Sequence, residues 1–93
     1  LRSSLSKAIY EYRRDWNGYL ASTVDDDKAL PTFRPALAVL ETWGATAEDA
    51  EATEMALELA LEFYEAGDSP VIPAMMKAAL SWIQAERKRR AAP

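Results

Sequence analysis

The segment from Thr46 to Ala66, TAEDAEATEMALELALEFYEA, limits the possible folds more than any other part of the chain. With about 100° of turn per residue, Glu51, Glu54, Glu58, Glu62 and Glu65 fall on one narrow strip of a helix. Ala52, Met55, Ala56, Leu57, Leu59, Ala60, Leu61, Phe63 and Tyr64 fill most of the remaining circumference. A surface helix carries an apolar stripe roughly 100° wide; this one is apolar over about twice that. A helix of this kind is contacted from more than one side and keeps one acidic edge in water. The pattern predicts an all-α fold: a compact bundle of four helices around a central, acidic-edged helix spanning about residues 46–66.

The other helices follow from periodicity and punctuation. Leu5, Ile9, Tyr12, Trp16 and Leu20 recur at steps of three and four, predicting an amphipathic first helix over about 4–20. The turn-type pair Asn17-Gly18 marks a point where that helix could stop a turn early. Thr32 as N-cap, Pro35 in the first turn and Gly44 after Trp43 bracket a short second helix over about 32–43. Thr46-Ala47-Glu48-Asp49 resembles a capping box that starts the third helix, and Gly67 stops it. The tight link between Gly44 and Thr46 predicts that the second and third helices are neighbours. Ser69 and Pro70 open a last helix over about 70–90, whose regular part is expected from Ile72. Residues 21–31 are a loop. Its run Asp25, Asp26, Asp27 lacks the alternating oxygen ligands, central Gly and distal Glu of a calcium loop, and reads as the cap of a short turn over 26–30. At 93 residues the chain is a single helical domain, 1–93.

What the chain lacks excludes several kinds of chemistry. It has neither cysteine nor histidine, which removes thiolate nucleophiles, Cys/His zinc sites and imidazole bases. A dinuclear carboxylate centre needs Glu-x-x-His pairs facing inward, whereas Glu51-x-x-Glu54 has no histidine partner and lies opposite the apolar arc. No metal, no cofactor and no catalytic residue is therefore expected. No apolar run approaches the ~18 residues that cross a bilayer, and no signal-peptide pattern is visible, so a cytoplasmic, non-membrane protein is expected. The chain begins at Leu1, as a processed or trimmed end would.

Charge is segregated along the sequence. Residues 1–24 sum to +2, residues 25–68 to −10 and residues 69–93 to +4. Glu54, Glu58 and Glu62 are each four apart, with no Lys or Arg between Thr46 and Ala66. Like charges at that spacing cost a few tenths of a kcal/mol each. Three accounts fit: a solvated edge, internal pairing with Arg13, Arg14, Lys77 or the tail cations, or a docking surface for a basic partner.

These readings lead to a small, non-enzymatic protein-binding or regulatory protein. High alanine content and small size suit a bacterial or phage accessory factor. Its contact surface is the acidic strip Glu51, Glu54, Glu58, Glu62 and Glu65, or a Met/Trp-lined last helix. Tyr10, Met76 and Leu80 are secondary contact candidates. Trp16, Trp43 and Trp82 fall on inner stripes and read as core. If the last helix is partly uncovered, Ile72, Met76, Leu80 and Ile83 form a groove wall. A second chain covering the apolar arc, a homo-oligomer, fits the same pattern. The alternative is a nucleic-acid regulator using Arg87, Lys88, Arg89 and Arg90, against which the acidic whole speaks (pI about 4.8). A third class, a metal protein or enzyme built from carboxylates alone, has the least behind it.

Overall fold

The computed structural model describes residues 4–22 and 33–91; the aspartate run, the turn expected over 26–30 and the cap expected at Thr32 lie outside them. Four α-helices form an all-α bundle: α1 (Leu5–Ser22), α2 (Arg34–Glu41), α3 (Ala50–Ala66) and α4 (Val71–Ala91). α3 packs along α4 and against α1, and α2 packs against α1 and α4. The backbones of α2 and α3 do not approach each other. This corrects the expectation that α2 and α3 are neighbours and that α2 helps to enclose α3.

The reason is the segment between them. α2 stops at Glu41, with Thr42 as its C-cap, and α3 starts only at Ala50. Eight residues, 42–49, therefore separate the two helices. Gly44 has no positive φ and does not close α2. The buried Ala47 donates its backbone N–H to the Ala78 carbonyl at 3.1 Å, which ties the segment to α4. Thr46 does not cap α3. Asp49 does: its carboxylate accepts the Ala52 N–H at 2.7 Å, and the Thr53 hydroxyl donates back to the Asp49 carbonyl at 3.0 Å. Glu48 is used elsewhere. Its carboxylate accepts Leu5 N–H at 2.9 Å, Ser6 N–H at 3.2 Å and the Ser6 hydroxyl at 2.6 Å. These are orphan donors of the first turn of α1, beside the positive end of its dipole. Desolvation alone would raise the Glu48 pKa, but the Ser6 and Leu5 hydrogen bonds outweigh it and hold the group below the ordinary 4.5.

α1 continues through Asn17-Gly18 to Ser22. The aromatic residues on that turn explain why: Trp16 and Tyr19 clasp Phe33, at the entrance of α2, with ring centroids 4.8 and 5.0 Å away. α3 ends at Gly67, whose φ of 136° is a conformation that side chains disfavour and whose N–H returns to the Phe63 and Tyr64 carbonyls. α4 begins at Val71, whose N–H is accepted by the Ser69 hydroxyl, and Pro73 falls in the first turn where no N–H is needed.

The core joins Leu5, Ile9 and Tyr12 of α1, Leu40 of α2, Leu59 of α3 and Val71 and Met75 of α4. Trp16, Trp43 and Trp82 are half-buried against it. Trp43 lies just beyond α2, and its indole Nε1 is buried without a hydrogen-bond partner among the described residues. Where α3 meets α4, however, the buried residues are mostly alanines: Ala52, Ala56 and Ala60 on one helix, Ala74, Ala78 and Ala79 on the other. Small residues allow close approach but bury little area per side chain.

Candidate functional site

The large apolar residues of α3 and α4 stand beside that alanine seam and outside it. Leu57, Leu61 and Tyr64 of α3 are 44, 59 and 70 % exposed, and Met76, Leu80 and Ile83 of α4 are 53, 53 and 38 % exposed. They border two adjoining hollows on one face of the helix pair. One, of about 450 Å³, lies between Leu57, Leu61, Tyr64, Ile72 and Met76. The other, of about 270 Å³, lies between Leu57, Met76, Lys77, Leu80 and Ile83. Leu57 and Met76 line both, so the two form a single apolar groove along the α3–α4 seam.

The rims of the groove differ in charge. By helical rotation, Glu54, Glu58 and Glu65 follow directly on the outer side of Leu61. All five strip glutamates are exposed. Glu62 is engaged within the fold: Arg13 of α1 grips it bidentately, at 3.1 and 2.6 Å. The Arg13 hydrogen bonds, opposed by slight desolvation, keep the Glu62 carboxyl below 4.5. The same pair raises the Arg13 pKa, and Glu58 adds to the field on Arg13. The strip is thus divided. Glu62 locks α1 to α3, while Glu51, Glu54, Glu58 and Glu65 form no ion pair among the described residues. On the opposite rim, α4 presents Lys77, exposed and without an ion pair among the described residues.

The structure does not bring the remaining candidates to the groove. Tyr10 is 64 % exposed on α1 and is not among the groove's lining residues. Arg87, Lys88, Arg89 and Arg90 follow one another on α4, so each points about 100° from the next and no basic face results. Arg89 and Arg90 are tied to Glu86, Arg90 at 3.1 Å, and the hydrogen bond from Arg89 holds the Glu86 carboxyl below its ordinary value. Arg87 and Lys88 border a shallow hollow with Gln84 and Ala91. Among the described residues no group of three acidic side chains is placed to hold a metal ion, and no helix is long and apolar enough to cross a membrane.

The sequence reading placed Leu57, Leu61 and Tyr64 in one broad apolar arc, enclosed by the bundle or partly covered by a second chain, and did not say which part stays outside. The available signal was the alternation of alanine with larger residues. Ala52, Ala56 and Ala60 repeat every four positions, and Leu57, Leu61 and Tyr64 form a parallel row beside them. No family model matches the chain, and comparison with curated proteins and with solved structures also gives no match.

Proposed function

We propose that this is a non-enzymatic protein-binding or regulatory protein whose contact face is the α3–α4 groove, with Glu54, Glu58 and Glu65, which form no ion pair among the described residues, as its polar rim. One observation carries the reading: alanines are buried in the helix seam while six large apolar side chains remain in water beside it. Sealing those side chains from water yields about 25 cal/mol per Å², a driving force that the isolated fold leaves unused. The rim supplies orientation and selects partners of positive charge. The partner presents an apolar ridge, such as one face of an amphipathic helix.

The test is capture from the source cell on immobilised protein, comparing the wild type with a Leu61→Ser/Met76→Ser variant whose circular dichroism and melting are unchanged. Proteins held by the wild type and lost by the variant support this reading. Retention that the variant does not alter overturns it.

A further inference from the structure

We infer that the occupant of the groove is a second copy of this chain, related by a two-fold axis running along the groove, so that α3 of each copy lies over α4 of the other. The inference rests on the preceding reading of the groove as a docking face and adds the identity of what docks.

The charges of the two rims choose both the partner and the arrangement. One rim, on α3, is acidic through Glu54, Glu58 and Glu65; the other, on α4, carries Lys77 and, further along the helix, Arg87 and Lys88. A face with opposite charges on its two edges is self-complementary, as an isologous contact requires. Two face-to-face arrangements exist. An axis across the helices sets α3 over α3 and brings the two acidic rims together, and like charges in juxtaposition are penalised. An axis along the groove sets the acidic rim of each copy over the basic rim of the other. α3 and α4 are antiparallel, and Leu57 shares the groove with Met76 and Leu80. Lys77 is then nearly level with Glu58 of the second copy, while Arg87 and Lys88 lie beyond the N-terminus of its α3, with Glu51 about one turn short of them. Each of these cations and carboxylates is without an ion pair among the described residues. Glu62, Arg89 and Arg90, which have partners within the fold, are not needed. Across the groove, Leu57, Leu61, Tyr64, Met76, Leu80 and Ile83 of both copies close an apolar layer from which water is excluded, flanked by polar rims.

Sedimentation equilibrium of the whole chain from about 1 µM to about 500 µM tests this. The expected result is a rise from the 10.4 kDa monomer to twice that mass. Leu61→Ser/Met76→Ser remains monomeric and melts as the wild type does at the dilute end, where both are monomers. Lys77→Glu weakens the dimer about tenfold, because the axis repeats each pair, and adding Glu58→Lys restores most of the loss. A mass fixed at the monomer value, or a dimer indifferent to Leu61→Ser/Met76→Ser, overturns the inference. A dimer that Glu58→Lys fails to restore overturns the arrangement. A monomer that still captures a protein through Leu61 and Met76 removes the second copy and leaves the docking reading standing. If capture is also indifferent to those residues, both fall.

Discussion

The two faces of α3 differ in a way that its amphipathic sequence conceals. On its buried side it presents Ala52, Ala56 and Ala60, all nearly inaccessible, with Leu59 as the one large, fully buried side chain. About a quarter-turn away it presents Leu57, Leu61 and Tyr64, which retain roughly half their area or more. A fold adjusted only for its own stability puts the bulky residues inside, since stabilisation follows apolar area removed from water. Here close helix approach takes the alanines and the bulk faces outward. The difference separates two faces of one helix: the alanine face assembles the bundle, and the leucine–tyrosine face is the one proposed for contact.

Several measurements can break or sharpen that comparison. The largest effect is expected from Leu59→Ala, which should cost about 2–5 kcal/mol in urea unfolding, whereas Leu61→Ala should stay within about 0.5 kcal/mol in the monomer. Equal losses would erase the distinction between the faces. Glu48→Ala should cost about 1–2 kcal/mol, as loss of a helix cap does. It should also reduce the acid sensitivity of the fold. The Glu48 and Glu62 carboxyls lie below 4.5 when folded, so their contribution is complete above the unfolded carboxylate pKa. It is lost as pH falls from there through the lowered folded values. A stability–pH profile of Glu48→Ala identical to wild type below pH about 4.5 would remove Glu48 from this role. Gly18→Ala should stabilise by about 0.5–1 kcal/mol, because Gly18 is helical, has ordinary φ and nothing lies within 4 Å of an added Cβ. The smallest effect belongs to Glu62→Gln. The Arg13–Glu62 pair is part-exposed, at 38 and 55 %, and is worth about 0.2–1 kcal/mol.

Much of the fold was legible because it is written locally. The Leu5, Ile9, Tyr12, Trp16 row, the stop at Gly67 and the Ser69-Pro70 start are all signals within a few residues of the elements they set. What failed depended on contacts between distant parts of the chain. Thr46 and Asp49 are both good caps, three positions apart. The start falls at Asp49, with Glu48 drawn to the N-terminus of α1, 43 residues away, and Ala47 bonded to Ala78. Asn17-Gly18 reads as a break only until Phe33 is placed between Trp16 and Tyr19. Internal pairing was one of three readings of the glutamate strip, and among the described residues it holds for Glu62 alone. The wall formed by Met76, Leu80 and Ile83 was foreseen as a condition on coverage of the last helix. On α3 the choice between enclosure and cover by a second chain stayed open, because periodicity cannot tell which part of a wide apolar arc its neighbours will cover.

The adjacent residues Met75 and Met76 provide the most direct check on that division, being 0 and 53 % exposed on the same turn of α4. Methionine oxidation by dilute peroxide, read by peptide mass spectrometry, reports the two separately. In dilute protein Met76 should oxidise far faster than Met75. At high protein concentration Met76 should become protected while Met75 stays unchanged, since the proposed second copy covers only the outward face. Equal rates for the two in dilute protein, or a Met76 rate indifferent to concentration, would contradict the account.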